Sequence, residues 1–145
     1  MIRKATIEDL DNIYEIAISS FENPWEKVSI EAEFYKDYSY IHVYEIDNKV
    51  IGYIISWLLG NEAELLTIAI HNDYRRKGIG TEFLKYVMDL YGNDVLWHLE
   101  VACSNKGAIQ LYKIYGFEIN SIIADYYGVG KDAYRMVLSP NSNIK

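Results

Sequence analysis

The stretch "DYRRKGIGT", Asp73 to Thr81, sets three consecutive cations and two glycines ahead of an apolar stripe. In that stripe Ile79, Phe83, Leu84, Val87, Leu90 and Tyr91 recur at helical spacing, so the loop opens a helix. A helix N-terminus carries partial positive charge, and an exposed like charge in its first turn costs about 0.3–1 kcal/mol. Backbone N–H groups from Arg76 to Thr81, through Lys77, Gly78, Ile79 and Gly80, suit a bound pyrophosphate, and the side-chain cations help to neutralise it. The competing reading is a plain turn with solvated cations, which leaves the dipole cost without an offset. Two other phosphate loops fail on their own requirements. The lysine–serine/threonine end of a P-loop is missing, because Thr81 follows Gly80 directly. In "GIGTEF", Phe83 stands where a dinucleotide fingerprint needs its third glycine, and only 45 residues follow Glu100, too few for the rest of a doubly wound sheet.

The surrounding pattern predicts the elements that hold this loop. Ile2 to Ile7 reads as a strand, and Thr6 with Asp9 forms a capping box ahead of a helix whose Leu10, Ile13 and Ala17 share a face. "FENPWEK" breaks that helix, since Pro24 pushes Asn23 into an extended conformation, and a second helix runs to about Tyr35. Ser39 to Ile70 reads as three antiparallel strands turning at Asp47-Asn48-Lys49 and Gly60-Asn61-Glu62. The helix after the glycine loop stops at Gly92-Asn93, and Val95 to Val101 is a strand. Ser104 or Asn105 caps a helix with Ala108, Leu111, Tyr112 and Tyr115 on one face. Two strands, about Glu118 to Asp125 and Asp132 to Leu138, close the chain. The order predicts an α/β fold: a mixed, mostly antiparallel seven-stranded sheet with about four helices. Its strand–helix–strand unit, residues 62 to 101, implies a parallel pair with a right-handed crossover.

Composition narrows the partners. A chain of 145 residues suits one domain, expected over 1–138, with a loose tail at 139–145. Net charge is −7, and cations cluster only at 75–77, so a broad nucleic-acid face is not expected. Cys103 is the single cysteine, which excludes an internal disulfide and favours a reducing compartment. No signal-peptide run opens the chain and no window reaches the roughly 18 apolar residues of a membrane span. A cytoplasmic protein without a membrane partner is expected. His42, His71 and His98 lack ligand spacing, and no metal is expected.

Longer motifs carry a family resemblance. "RRKGIG" after "ELLTIAI" resembles the R/Q-x-x-G-x-G/A acyl-CoA loop of the GNAT (Gcn-five-related) N-acetyltransferases. "LWHLEVACSNKGAIQLYKIYGF", Leu96 to Phe117, is similar to the L-E-V-x-x-S-N-x-x-A-I-x-L-Y-x-x-x-G-F segment of the RimI/Ard branch, the N-terminal (Nα) protein acetyltransferases. "DYYGVGKDAYRM", Asp125 to Met136, resembles that branch's Y-Y-x-x-G-x-D-A-x-x-M ending. The resemblance implies the GNAT fold over 1–138 and acetyl-CoA as cosubstrate. It implies that Ile68, Ala69 and Ile70 offer strand-edge backbone groups to the pantetheine and the acetyl carbonyl. Arg76 to Thr81 would hold the pyrophosphate, and Asn105 would hydrogen-bond the pantetheine arm. Glu100 would be general base and Tyr112 general acid; without the resemblance, Tyr112 on its helix's apolar face reads as core packing. Glu22 or Glu26, in the loop lining the peptide entrance, would meet the substrate's amine, with Tyr126 and Tyr127 walling the opposite side.

The chemistry is coherent. An α-amine with a pKa of about 7.7–8.0 needs only modest deprotonation, which a carboxylate can manage through a water. The branch usually carries an Arg two residues after the Glu, where this chain has Ala102. The partner expected is the N-terminal segment of a protein, such as a ribosomal protein or a nascent chain. Acetylation of lysine, polyamine or another small amine is the alternative enzyme reading. A non-catalytic acyl-CoA-binding module is the alternative of another class.

Overall fold

The structure, a computed structural model, describes residues 1–140. The part of the expected tail at 141–145 lies outside the described residues. Strand β1 is short, Ile2–Lys4, because Thr6 already starts the helical entry. The Thr6 N–H donates to the Asp9 carboxylate at 2.8 Å, as the capping box requires. Arg3 grips the same carboxylate with two N–H groups at 2.8 and 2.9 Å, tying β1 to α1 (Leu10–Ser20). After the break at Pro24 comes α2 (Lys27–Glu33).

Strands β2 (Ser39–Ile46) and β3 (Lys49–Leu59) meet at Asp47-Asn48, whose φ values of 51° and 64° are those of a type I′ hairpin turn. β4 (Glu62–Ile70) follows, then α3 (Ile79–Tyr91), β5 (Leu96–Ala102), α4 (Lys106–Ile114), β6 (Glu118–Ile123) and β7 (Ala133–Leu138). The sheet order is β1-β2-β3-β4-β5-β7-β6, and only β4 and β5 run parallel. The expected seven strands, four helices and parallel crossover unit are all present. The second helix and the last two strands are shorter than the pattern suggested, since their ends turn early into loops. No helix among the described residues is long and apolar enough to cross a membrane.

The sheet separates two cores. On one face α3 and α4 bury Phe83, Leu84, Val87, Ile109 and Tyr112 against Trp97, Leu99 and Val101 of β5. On the other α1 and α2 bury Ile13, Ile16, Ala17 and Ile30 against Val43, Tyr53 and Ile55. This explains why β3 reads as a continuous apolar run rather than an alternation: it is covered on both faces.

One irregularity positions everything that follows. Ile55 pairs with Thr67 and Ser56 with Leu65, so Leu66 is an extra residue on β4, a β-bulge. Ala63 and Leu65 face the α3–α4 core before the bulge; Ile68 and Ile70 do so after it. The parallel ladder joins Glu62–Leu65 to Leu96–Leu99 and ends there. Past Leu65 and Leu99 the two strands part.

Candidate active site

The glycine loop is shaped by two residues with left-handed backbone, Arg76 (φ 63°) and Gly78 (φ 77°), the latter the N-cap of α3. A Cβ on Gly78 would touch nothing within 4 Å, so glycine serves here for its φ and not for room. Among the described residues no protein acceptor takes the backbone N–H groups of Arg76 to Thr81. An amide-lined cradle at a helix N-terminus is thus present, and it fits a pyrophosphate. The three cations divide their work. Arg75 is structural: its Nε donates to the Ile70 carbonyl at 2.8 Å and its Nη2 to Ser20 Oγ at 2.9 Å, clipping the loop to β4 and α1. Arg76 and Lys77 are exposed and make no ion pair among the described residues. The Tyr115 hydroxyl donates to the Thr81 carbonyl, fixing α4 to the first turn of α3.

The parting of β4 and β5 leaves Ile68, Ala69 and Ile70 on a strand edge without a partner strand on the β5 side. That edge suits an extended, amide-bearing arm, which pairs with backbone as another strand would. Asn105 caps α4, its Oδ1 accepting from the Ala108 N–H at 3.1 Å, so Asn105 and not Ser104 is the cap. Its amide N–H₂ stays available as a donor.

Strand alternation sends Trp97, Leu99 and Val101 toward the α3–α4 core and His98 and Glu100 to the opposite face. Glu100 is not a solvated outward residue: its side chain is only 9% exposed. Arg135, its register partner on β7, brings Nη2 to 2.8 Å of Oε2, in an orientation that makes an ion pair but no hydrogen bond. Ala102 offers no charge, and the guanidinium beside Glu100 comes instead from β7. Glu64 on β4 shares this face; burial first, and then the charge of Glu100, raise its pKa above the ordinary glutamate value. From the β6–β7 loop Tyr126 and Tyr127 meet edge to face at 4.8 Å. Burial, then the charges of Glu100 and Glu64, raise the Tyr126 hydroxyl, and burial followed by Tyr126 and Glu100 pushes Tyr127 up to about 12. Glu22 reaches the same loop from the α1–α2 connection but is engaged by Lys131 at 2.7 Å. Glu26, the other candidate, precedes α2 as its N-cap.

Tyr112 lies across the sheet, in the α3–α4 core, packed near Phe117 with ring centroids 5.9 Å apart. Burial, and next Tyr127, lift its hydroxyl far above the ordinary tyrosine range, so it keeps its proton at neutral pH. Glu100 and Tyr112 therefore stand on opposite faces of the sheet, and the β4–β5 ladder ends one residue before Glu100. Glu64 and Arg135 were missed in the sequence. Each is a charged residue in mid-strand, the same signal that marked Glu100, but only the strand registers place them beside it. His98 also gains neighbours that its spacing did not suggest: one ligand atom each from Glu64, His98 and Glu100 lies within 4.8 Å of the others.

The chain belongs to the acetyltransferase (GNAT) family, which it matches over residues 10–117. A relative from Sulfurisphaera tokodaii, named N-alpha-acetyltransferase, is 35% identical over 152 residues, covering 93% of this chain and 90% of the relative. The [ribosomal protein bS18]-alanine N-acetyltransferase of Escherichia coli K12 is 31% identical over 122 residues, covering 82% and 81%. The crystal structure of the ribosomal-protein-S18-alanine N-acetyltransferase from Escherichia coli matches with a TM-score of 0.89 at 26% identity, covering 100% of this chain and 97% of that one.

Proposed function

We propose that this enzyme acetylates the N-terminal α-amine of a protein, with acetyl-CoA as donor. The observation that carries the reading is Glu100 buried on one face of the sheet just past the end of the β4–β5 ladder, with Tyr112 buried on the other face. The names of the relatives support the α-amine as acceptor.

The thioester supplies an activated acetyl group; the remaining work falls to this chain. The amides of Arg76 to Thr81 and the charges of Arg76 and Lys77 hold the pyrophosphate. The β4 edge at Ile68 to Ile70 aligns the arm, and a backbone N–H near Ala69 stabilises charge developing on the carbonyl oxygen. Glu100, fixed by Arg135, takes the amine's proton through a water. Tyr112, held protonated by burial, supplies a proton to the departing thiolate. Tyr126 and Tyr127 wall the side on which the peptide arrives.

The test is acetylation of peptides with free and with blocked N-termini, read by mass spectrometry. Product on free N-termini alone is expected. Product on lysine alone would overturn the α-amine reading, and CoA binding without product on any peptide or small amine would overturn the enzyme reading.

A further inference from the structure

Glu64, His98 and Glu100 form a donor set that acetyl transfer does not require. The first two face each other across the parallel ladder, and the third follows His98 by two residues on the same face of β5. One ligand atom from each lies within 4.8 Å of the other two. Two further facts point to a ligand. Glu100 Oε2 and His98 Nδ1 are buried with no hydrogen-bond partner, and the Glu100 side chain is more than nine-tenths buried. Buried polar atoms are rarely left without a hydrogen bond; the Glu100 oxygen has only its ion pair with Arg135, and His98 Nδ1 has no partner among the described residues.

The donor types choose the ligand class. One imidazole and two carboxylates match a zinc-type transition cation, whereas calcium and magnesium prefer all-oxygen sets. Donors around tetrahedral zinc stand about 3.4 Å apart, so modest side-chain rotation on two rigid strands closes the set. Two other groups face it. The Tyr126 hydroxyl is one, and the Arg135 guanidinium, 2.8 Å from Glu100 Oε2, is the other. Arg135 is the built-in rival for Glu100, and with 41% of its side chain exposed it can swing into water.

We propose that Glu64, His98 and Glu100 bind one zinc-type divalent cation, with the fourth position left to water, and that this binding switches acetyl transfer off by occupying the Glu100 carboxylate. The inhibitory half rests on Glu100 being the base; the binding half does not.

Cobalt(II), whose visible absorption reports coordination, titrates the purified chain, and zinc(II) displaces it to give the zinc affinity. Acetylation of a peptide is followed in parallel at buffered zinc. A single cobalt site is expected. His98→Gln should weaken it at least about tenfold, while Arg135→Met, removing the rival cation, should tighten it. Zinc should inhibit competitively with the peptide. His98→Gln should match the parent in metal-free turnover and in CoA affinity, yet resist zinc at least about tenfold better. No cobalt spectrum, equal binding by His98→Gln, or equal zinc inhibition of that variant would overturn the proposal. A chain that binds cobalt through His98 but acetylates nothing supports the site and overturns the acetyl-transfer reading. One that acetylates but never binds cobalt does the reverse.

Discussion

Tyr112→Phe separates the two roles that Tyr112 can have, proton donor or core filler. The ring is 6% exposed and packs with Phe117, and phenylalanine keeps every ring contact. The hydroxyl makes no hydrogen bond to protein among the described residues, so its loss forfeits no internal partner. Stability should therefore change by less than about 1 kcal/mol, the worth of a typical hydrogen bond. Tyr112→Ala would be uninformative, because a cavity of that size costs about 3–5 kcal/mol and would disturb the whole α3–α4 core. A positioned general acid contributes about 10²–10⁴ in rate, or about 2.7–5.4 kcal/mol of barrier. Steady-state acetylation by Tyr112→Phe should fall by that factor in kcat, with CoA affinity by calorimetry within about twofold and the melting temperature nearly unmoved. Parent-like turnover would remove Tyr112 from the chemistry. Lost CoA affinity together with a lowered melting temperature would assign it to packing.

Other substitutions probe the remaining parts. Gly78→Ala meets no clash but places a Cβ at φ 77°, costing about 1–2 kcal/mol and turning the loop amides; CoA affinity should drop about tenfold, and unchanged affinity would discount the cradle. Lys131→Ala releases Glu22 and unties the α1–α2 connection from the β6–β7 loop, so the peptide KM should fall by less than about fivefold, with the effect fading in high salt. Asp9→Asn should cost about 1–3 kcal/mol at neutral pH by unpairing a charged hydrogen bond at the start of α1. The bonds from Arg3 lower the Asp9 pKa, outweighing its burial, and the Thr6 N–H lowers it further. Its stabilisation is thus present above the unfolded carboxylate value of about 3.9 and lost as pH falls through the lower native value. Denaturant titrations should show the parent and Asp9→Asn converging below about pH 4, and a constant gap would refute the linkage.

The sequence carried the elements far better than their lateral relations. Local chemistry marks the capping box at Thr6, the turn at Asp47-Asn48 and the cap of α4, and each forms where its own residues dictate. The bulge at Leu66 is different. "AELLTIAI" alternates poorly, and nothing local says whether Leu66 or a neighbour is the extra residue; pairing with β3 decides it. Glu64 and Arg135 stayed silent for the same reason, because their meaning lies in registers with β5 that span 34 and 35 residues of chain. Arg75 shows the opposite error of scale. Its charge reads as part of the anion site, but the Ile70 carbonyl and Ser20 claim it.

The bulge also explains why one strand pair can serve two faces. Had β4 continued without an extra residue, its ladder with β5 could run on past Leu99 and pair the β4 edge at Ile68 to Ile70. The extra residue increases local twist and ends the pairing at Leu65, so the strands diverge at the residue before Glu100. The cost is a run of backbone groups on the β4 edge with no strand to meet them, and an exposed edge is a template for another extended chain. An amide-bearing arm anchored at the Arg76–Thr81 cradle would supply that chain, presenting its thioester between base and acid. On this view Glu100 and Tyr112 need not approach each other in the free protein. Under the proposed function, their separation would be the space that the reacting groups require.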